Sequence, residues 1–269
     1  MQCCVICTDL DGTLLHHDTY KFDAANPALA LLRERGIPVI LCSSKTRAEI
    51  EYYRSLLQNE HPFVAENGGA AFIPQGYFPP FATRNIRDGY EVLEFGQPYE
   101  TIVRALEQCR RETGAMLTGF HDLAAEEVVG LTGLSLENAR RAKAREYDEP
   151  FLLRREEDRS VVETWVRGAG LRISGGGRFY HLTGNHDKGG AVDAVLRQFR
   201  HEAPVLAVGI GDSTNDLPML QAVDRPLLVQ RHDGTYDPNI NNPKIAHVAG
   251  VGPVGWNTAI LTLLAAGVT

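Results

Sequence analysis

Three short apolar runs in the chain pass directly into polar loops that precede predicted helices. They span residues 3–7, 37–42 and 205–210, and none of them alternates between apolar and polar positions. Continuous apolar runs followed by helices are typical of parallel strands that are covered on both faces of a sheet. The pattern therefore predicts an α/β fold with a doubly wound, Rossmann-like parallel-sheet core. Such sheets bind ligands beyond the carboxyl ends of their strands, where the three polar loops are expected.

The middle of the chain has a different pattern, typical of helices mixed with antiparallel strands. Residues 98–113 predict an amphipathic helix, and two apolar stretches within residues 171–183 flank three glycines as in a β-hairpin. This mixture predicts an α+β cap inserted into the α/β core. We expect the cap to span residues 84–184 and the catalytic core to consist of residues 1–83 and 185–269.

Polar residues that precede the predicted helices indicate where those helices begin. Thr46 and Glu49 have the spacing of a capping box. Asp187, Asp122 and Ser135 are the expected N-caps of three other helices. These residues place the starts of four helices.

Composition and charge narrow the range of partners. The 269 residues carry a formal net charge of −7, with 23% charged and 43% hydrophobic residues. A net negative chain is not expected to bind nucleic acid or an anionic membrane through general charge attraction. No stretch is long and apolar enough to predict a transmembrane helix. We therefore expect a small-molecule partner, with no nucleic-acid or membrane partner, and an anionic substrate would need a local site of opposite sign.

The chain has five cysteines, an odd number typical of a protein in the reducing cytoplasm. Cys4 and Cys7 have the spacing of a redox or metal-binding pair. They also lie in the first predicted strand, where residues three apart point to opposite faces. No second Cys or His pair completes a zinc set in the sequence. The pattern therefore favours buried strand residues over a metal or redox site.

Asp9 and Asp11 are the strongest candidates for chemistry. They follow the first predicted strand two residues apart, so their side chains point the same way and crowd two carboxylates together. A cation between the carboxylates, or a proton on one of them, would relieve the repulsion, and Mg²⁺ prefers carboxylate and phosphate oxygens. Asp212 and Asp216, in the loop after the third apolar run, supply further carboxylates. Such residues are also common in ordinary turns and helix caps.

A cation is expected among these carboxylates if a phosphoryl group is to bind there. Lys188 lies in the first turn of the helix that Asp187 is expected to cap. Ser43 lies beside the N-terminus of another predicted helix, whose free N–H groups and positive dipole end favour an anion. Taken alone, Lys188 fits an ordinary surface lysine and Ser43 an ordinary helix-start residue. Their positions near the aspartate loops favour phosphate binding.

Four motifs resemble, in order, those of the haloacid dehalogenase superfamily: Asp9-Leu10-Asp11-Gly12-Thr13, Ser43, Lys188, and Gly211-Asp212 with Asn215-Asp216. The insertion between the second and third motifs is similar to the large α+β cap of the superfamily's sugar-phosphate phosphatases. The resemblance implies that Asp9 is a nucleophile that forms an aspartyl-phosphate. It implies that Asp11 protonates the leaving oxygen and then acts as base on the hydrolytic water.

The same resemblance implies a metal cofactor and a phosphate site. Mg²⁺ would be held by Asp9, by the backbone carbonyl of Asp11 and by Asp212, with Asp216 nearby. Three further residues would hold the phosphoryl oxygens as charge spreads over them: Ser43, Lys188 and Asn215. A carboxylate can approach a dianionic phosphate only when such cations offset the repulsion.

Longer stretches resemble a narrower family, the mannosyl-3-phosphoglycerate phosphatases. The stretches cover residues 43–49, 66–69, 120–123, 145–151 and 178–184, and so extend through the predicted cap. The resemblance implies hydrolysis of a small anionic phosphorylated sugar acid, mannosyl-3-phosphoglycerate or its glucosyl counterpart, to the glycosylglycerate and phosphate. It also suggests four further residues that either contact the substrate or support the residues that contact it: Ser44, Lys45, Asn67 and Gly68.

The cap is expected to recognise a carboxylate and a sugar, and four basic residues are candidates. Arg141 and Arg145 lie four apart on a predicted helix, a like-charge pair that an anion would stabilise. Arg141 can instead pair with Glu137, and both arginines suit the C-terminal end of a helix. Arg178 and His181 are expected on one face of the hairpin, from which both could reach the cleft. It is equally consistent with the sequence that Arg178 and His181 lie on a solvent-exposed face of the strand.

Other functions fit the same core residues. One alternative is a different sugar-phosphate phosphatase, or a phosphomannomutase with a similar core and cap. A phosphoacceptor signalling domain is an alternative of another class, because it also uses an aspartate on a parallel sheet with Mg²⁺. Asp11 disfavours that alternative, since an acid and base beside the phosphoacceptor shortens the life of the intermediate. A large cap has no role in such a domain either.

Overall fold

The computed structural model describes residues 3–79, 85–175 and 179–267. The strands within these ranges are β1 (Cys3–Thr8), β2 (Val39–Cys42), β3 (Phe63–Ala65), β4 (Ala70–Pro74), β5 (Asn85–Arg87), β6 (Tyr90–Glu94), β7 (Leu117–Gly119), β8 (Asp148–Leu153), β9 (Arg172–Gly175), β10 (Tyr180–Thr183), β11 (Val205–Gly211), β12 (Arg225–Gln230) and β13 (Ala246–Val251). The helices are α1 (Asn26–Glu34), α2 (Arg47–Leu57), α3 (Tyr99–Thr113), α4 (Ala125–Thr132), α5 (Leu136–Lys143), α6 (Arg159–Gly168), α7 (Lys188–Glu202), α8 (Leu217–Gln221) and α9 (Pro253–Ala265).

The larger of two sheets forms the predicted core. Its described strands follow the order β13-β12-β11-β1-β2-β3-β4-β6-β5. The pairs from β13 through β3 are parallel, and β4, β6 and β5 extend the sheet with antiparallel pairs. The chain winds outward from β1 in both directions, so the sheet is doubly wound. The predicted α/β fold class is confirmed.

Helices cover both faces of this sheet. On one face α1, α2 and α9 bury Leu32, Ile50 and Trp256 against the strands. On the other face α7 and α8 bury Val195 and Met219. Burial of apolar side chains on both faces explains why the parallel strands have continuous apolar sequences.

The cysteines of β1 pack in separate layers. Cys4 belongs to the apolar cluster under α1, α2 and α9, whereas Cys7 belongs to the cluster under α7 and α8. All five cysteines are free thiols. The prediction that Cys4 and Cys7 are buried strand residues on opposite faces is therefore confirmed.

Most of the predicted helix caps are present. Thr46 accepts the Glu49 N–H in a capping box, and Asp187 and Ser135 cap α7 and α5. Asp122 was expected to cap α4, but α4 follows Ala124 instead. The Asp122 carboxylate accepts the N–H of Gly119 three residues earlier, at 2.9 Å, and so closes a local turn.

A second, antiparallel sheet lies in the middle of the chain, with the strand order β7-β8-β10-β9. Helices α3 and α6 pack on it around Leu106, Phe151 and Val162. We call the unit formed by α3–α6 and β7–β10 the cap. The helix predicted over residues 98–113 and the hairpin partners β9 and β10 are both present within it.

The change from one sheet to the other comes later than the boundary predicted at residue 84. Strands β5 and β6 pair with each other, and β6 pairs with β4 in the larger sheet. The boundary differs because strand pairing depends on a partner elsewhere in the chain, whereas the sequence pattern indicates only that a strand exists. No helix formed by the described residues is long and apolar enough to cross a membrane.

Candidate active site

Polar residues that follow three neighbouring strands meet at one edge of the larger sheet. Asp9 follows β1, Ser43 follows β2 and Asp212 follows β11, and β1 lies between the other two strands. The Asp9 N–H donates to the carbonyl of Ile210 at 3.0 Å, which continues the β1–β11 pairing beyond the strand. Because parallel strands end at the same edge, three loops that are distant in sequence form one site.

Lys188 lies at the centre of this site. It begins α7, directly after the N-cap Asp187, and its side chain is almost fully buried. Its Nζ atom lies 2.7 Å from Oδ1 of Asp9 and 2.6 Å from Oδ1 of Asp216. The structure therefore places Lys188 between two carboxylates and not on the surface.

Three carboxylates at the sheet edge form a candidate metal site. Oxygen atoms of Asp9, Asp212 and Asp216 lie within 4.8 Å of one another. The hydroxyl group of Thr13 donates to Oδ1 of Asp212 at 3.3 Å. Gly12 has a φ of +79°, and a Cβ atom there would lie 2.6 Å from Oδ2 of Asp212, so the loop needs glycine at this position. An oxygen-only set of this kind fits a hard divalent cation.

The electrostatics of the site also favour a bound cation. Burial raises the pKa of Asp9 well above its ordinary value, and the charge of Asp216 raises it further. Burial and Asp216 likewise raise the pKa of Asp212 to about 7. Burial alone would lower the pKa of Lys188, but Asp216 and Asp9 outweigh burial and hold it above its ordinary value. The carboxylates thus repel one another despite Lys188, and a divalent cation would relieve that repulsion.

Asp11 lies at the rim of the site. Its side chain is 33% exposed, and its Oδ1 atom lies 3.0 Å from Nζ of the buried Lys45. Lys45 also lies 3.7 Å from Glu49 and 4.8 Å from the ring centroid of Tyr20. A partly exposed carboxylate suits an acid and base that must reach both a leaving group and water. That role, and the metal contact through the Asp11 carbonyl, stay predictions.

Ser43 and Asn215 lie in the loops on either side of β1. Ser43 is fully buried, and its hydroxyl oxygen accepts the backbone N–H of Lys45 at 3.2 Å. The Oδ1 atom of Asn215 accepts a hydrogen bond from the Ser213 hydroxyl at 2.7 Å. The contacts of both residues with a phosphoryl group stay predictions.

Gly68 lies where the loop after β3 touches the start of α7. Its φ is +95°, and a Cβ atom there would lie 2.1 Å from the carbonyl oxygen of Asp187. This close approach positions the first turn of α7, and with it Lys188. A substrate contact for Gly68 stays a prediction.

The two arginines of α5 and the segment after it bind other parts of the chain. Arg141 pairs with Glu137, and its guanidinium lies 4.4 Å from the ring centroid of Tyr52. Arg145 is buried and donates to the backbone carbonyl of Ser44 at 2.8 Å. The structure contains these intrachain partners, and binding of the substrate by either arginine stays a prediction.

His181 and Asn67 meet at one buried carboxylate, that of Asp148. The His181 Nδ1 atom lies 2.9 Å from both Asp148 oxygens, and the Asn67 amide donates to Oδ2 at 3.2 Å. Burial would raise the pKa of Asp148, but His181 and Arg145 outweigh burial and hold it below its ordinary value. Arg178 lies outside the described residues. Because residues three apart in a strand point to opposite faces, a face shared by Arg178 and His181 does not follow from their spacing.

A cavity of about 660 Å³ lies between the cap and the core, next to the candidate metal site. Lys188, Asn67 and Asn215 line it from the core, and Arg172 and Ser174 line it from the cap. Its size suits a small phosphorylated metabolite. The two walls come from different units of the fold, so the core can hold one end of a ligand and the cap the other.

Asp237 supports the site and was not found from the sequence. Its carboxylate accepts the N–H of Thr214 at 3.0 Å, the Thr214 hydroxyl at 2.8 Å and the N–H of Asn239 at 2.9 Å. It thereby holds the loop that carries Asp212 and Asn215. The only signal in the sequence is an Asp-Pro pair, Asp237-Pro238, which is common in turns.

Buried Glu66 is expected to make the stability of the protein depend on pH. Burial raises its pKa from 4.5 to about 8, although Arg145 opposes the shift. Between these two values the folded protein holds a proton that the unfolded chain has lost, so the free energy of unfolding falls as pH rises. Replacing Glu66 by glutamine removes this titration. The fall in the free energy of unfolding between pH 5 and 8 is therefore expected to be about 1–4 kcal/mol smaller than in the wild type.

Urea denaturation at pH 5, 6, 7 and 8 measures the difference. The exposed neighbour Glu60, replaced by glutamine, is the matched control. If the stability of the Glu66→Gln protein follows pH in parallel with the wild type, Glu66 has an ordinary pKa in the folded state.

The fold and the site together define an α/β enzyme whose candidate active site lies at the carboxyl ends of its parallel strands. The chain belongs to the haloacid dehalogenase-like hydrolases, in the group that contains the glucosyl-3-phosphoglycerate/mannosyl-3-phosphoglycerate phosphatases. A model of the haloacid dehalogenase-like hydrolase family matches residues 6–78. The family resemblance predicted from the sequence is therefore confirmed.

Two relatives carry this assignment over nearly the whole chain. A glucosyl-3-phosphoglycerate/mannosyl-3-phosphoglycerate phosphatase of Methanococcoides burtonii is 50% identical over 265 residues, which is 97% of each chain. A protein of the same name from Persephonella marina is 39% identical over 264 residues, again 97% of each chain. A solved phosphatase of the superfamily from Bacteroides thetaiotaomicron has a TM-score of 0.68 at 17% identity, covering 100% of this chain and 96% of that one, and supports the fold alone.

Proposed function

We propose that this chain hydrolyses mannosyl-3-phosphoglycerate or glucosyl-3-phosphoglycerate to the glycosylglycerate and phosphate, with Mg²⁺ as cofactor. The observation that carries the proposal is the Asp9–Lys188–Asp216 arrangement beside Asp212, which unites a nucleophile, a phosphate-binding cation and a metal site. The 50% identical relative bears the name of this activity and aligns through both core and cap. A cytoplasmic location stays a prediction from the free cysteines.

In the first chemical step Asp9 attacks phosphorus in line with the leaving oxygen. Lys188 donates to the Oδ1 atom of Asp9 at 2.7 Å, so we assign the attack to the other carboxylate oxygen, Oδ2. The P–O bond to the glycerate breaks as the aspartyl-phosphate forms, and Asp11 gives its proton to the leaving oxygen. Lys188 and Ser43 hold the phosphoryl oxygens. Mg²⁺ held by Asp9 and Asp212 would supply positive charge that lowers the repulsion between carboxylate and phosphate.

In the second step water releases the enzyme. Asp11, now ionised, takes a proton from a water molecule that attacks phosphorus. The bond between phosphorus and Asp9 breaks, which yields inorganic phosphate, restores the Asp9 carboxylate and leaves Asp11 protonated as at the start of the cycle. The position of Asp11 at the rim, with 33% of its side chain exposed, suits contact with water.

The test is phosphate release from a panel of substrates with Mg²⁺ and after its removal by a chelator. Glycosylated 3-phosphoglycerates are expected to give the highest kcat/KM, above 3-phosphoglycerate and hexose phosphates, and the chelator is expected to abolish release. Preference for hexose phosphates would refute the substrate assignment but not the phosphatase activity. Isomerisation of a sugar phosphate after addition of its bisphosphate would indicate a mutase, and a lasting phosphoaspartate a signalling domain.

Arg172 of β9 is the described cap residue best placed to bind the carboxylate of the substrate. It lines the cavity, its side chain is 47% exposed, and it lies 3.4 Å from Oδ2 of Asp187. Replacing Arg172 by glutamine is expected to raise KM for the glycosylated phosphoglycerate about 10- to 100-fold, because one charged hydrogen bond is lost. Hydrolysis of p-nitrophenyl phosphate, which has no carboxylate, is expected to stay unchanged.

Steady-state kinetics with both substrates measures this prediction. The exposed Arg167 of α6, replaced by glutamine, is the matched control. An equal loss of activity on both substrates would show that Arg172 does not read the carboxylate.

A further inference from the structure

The loop that carries Ser43 is held through three successive backbone carbonyls. The carbonyl of Ser43 accepts the N–H of Asn67 at 3.0 Å, and that of Lys45 accepts the N–H of Glu66 at 3.0 Å. The carbonyl of Ser44, between them, accepts a hydrogen bond from Arg145 of the cap at 2.8 Å. Fixing the three carbonyls also fixes the direction of the N–H group that follows each of them, because each peptide unit is planar. One of these N–H groups, that of Lys45, donates to the Ser43 hydroxyl oxygen at 3.2 Å, so the hydroxyl is held by the same loop.

Arg145 is a junction between this loop and the cap. Its side chain is only 6% exposed and lies 3.6 Å from Asp148 and 3.9 Å from Glu49. Its Nε atom donates to the carbonyl of Ala142 at 2.9 Å. One guanidinium thus joins the end of α5, the start of β8 and the Ser44 carbonyl, a combination that needs the fork of donors specific to arginine.

The core residues that hold the loop also hold the cap segment next to Arg145. The Glu66 carboxylate accepts the N–H groups of Glu146 and Tyr147 at 2.9 and 2.8 Å. The Asn67 amide donates to Asp148 at 3.2 Å. Glu66 and Asn67 therefore bind the Ser43 loop through their backbone and the cap through their side chains. Docking of residues 145–148 and the shape of the loop depend on the same contacts.

We propose that Arg145 is a positioning residue for the phosphate-binding loop, and that the loop takes its working shape only when residues 145–148 of the cap are docked on it. The inference rests on the proposed function, in which Ser43 holds the phosphoryl group. It differs from the role expected from the sequence, in which Arg145 would bind the carboxylate of the substrate. Docking of the cap would then set the shape of the phosphate-binding loop of the core, although no cap residue contacts the phosphoryl group.

Replacing Arg145 by lysine tests the inference. Lysine keeps a positive charge near Asp148 and Glu49 but cannot reach the Ser44 carbonyl and the other partners together. We expect kcat to fall about 10- to 100-fold for the glycosylated phosphoglycerate and for p-nitrophenyl phosphate alike, since small displacements of a binding group have effects of this size. Inhibition by inorganic phosphate is expected to weaken about 10-fold, whereas KM for the glycosylated substrate changes less than about 3-fold.

Two other variants make the result interpretable. Arg154→Lys, at the exposed position directly after β8, is the matched control and is expected to keep wild-type activity. Asn67→Gly keeps the N–H to Ser43 and suits the φ of +56° at this residue, but removes the side-chain bond to Asp148. It is expected to lower kcat for both substrates in the same direction, and it decides the matter if thermal unfolding shows that Arg145→Lys is not folded.

The outcomes separate the possible roles. A raised KM for the glycosylated substrate with unchanged hydrolysis of p-nitrophenyl phosphate would overturn the inference and make Arg145 a substrate-binding residue. Wild-type kinetics in folded Arg145→Lys, or in Asn67→Gly if the former does not fold, would also overturn it. If the wild type hydrolyses p-nitrophenyl phosphate but no glycosylated phosphoglycerate, the proposed function fails while the positioning role is still measured with p-nitrophenyl phosphate.

Discussion

Replacing Asp9 by asparagine is expected to lower kcat at least about 10,000-fold, because the amide cannot attack phosphorus and no aspartyl-phosphate can form. The same substitution is expected to raise the melting temperature of the metal-free protein. Burial and the neighbouring charge of Asp216 raise the pKa of Asp9, so its ionised form costs free energy that an amide does not. Phosphate release and thermal unfolding in the presence of a chelator measure the two effects.

Asp18→Asn is the matched control for this substitution. Asp18 is exposed in the segment that follows the Asp9 loop, so the change is expected to leave both activity and melting temperature at wild-type values. Full turnover by the Asp9→Asn protein would refute the nucleophilic role. A sharp loss of stability together with the loss of activity would instead indicate a mainly structural role for Asp9.

Replacing Lys188 by methionine is expected to have the largest effect on stability. The buried carboxylates of Asp9 and Asp216 would lose the cation that lies 2.7 and 2.6 Å from them. Leaving a buried charge uncompensated costs about 3–5 kcal/mol, so the free energy of unfolding of the metal-free protein should fall by that amount. Activity is expected to fall about 100- to 1,000-fold, because a donor to the phosphoryl oxygens is lost. Urea denaturation and phosphate release measure both.

The change in melting temperature on addition of Mg²⁺ is a second measurement that tests the effect of Lys188→Met. A divalent cation among the carboxylates can replace part of the lost charge, so Mg²⁺ should raise the melting temperature of Lys188→Met more than that of the wild type. Lys244→Met removes an exposed lysine and is the matched control. Wild-type stability of the Lys188→Met protein without metal would mean that the carboxylates are protonated in the folded state.

The sequence indicated which core residues would lie together, because the signals for this are local. A strand followed by a polar loop is visible within ten residues of sequence. The close spacing of Asp9 and Asp11 and the helix N-cap residues Thr46 and Asp187 are equally local signals. Parallel strands must end at a common edge, so local signals alone indicated that distant loops would meet. The placement of Lys188 against Asp9 follows, although the two residues are 179 positions apart.

The cap was harder to predict because its polar residues bind partners far along the chain. Arg145 and Ser44 are 101 positions apart, and Asn67 and Asp148 are 81 apart. A motif shows which residue types are present, but an arginine binds a substrate and a backbone carbonyl through the same donors. Asp237 was not found for the same reason, since its partner Thr214 lies on another loop.

The sequence by itself determined the fold class, the edge of the sheet at which the candidate site lies, and the residue types that meet there. These properties follow from periodicity and capping, which act over a few neighbouring residues. Only the tertiary structure decided that β5 and β6 join the core sheet, that Arg145 contacts the Ser43 loop, and that Arg172 faces the cavity. Those outcomes depend on strand pairing and on packing between units, which the local sequence does not encode.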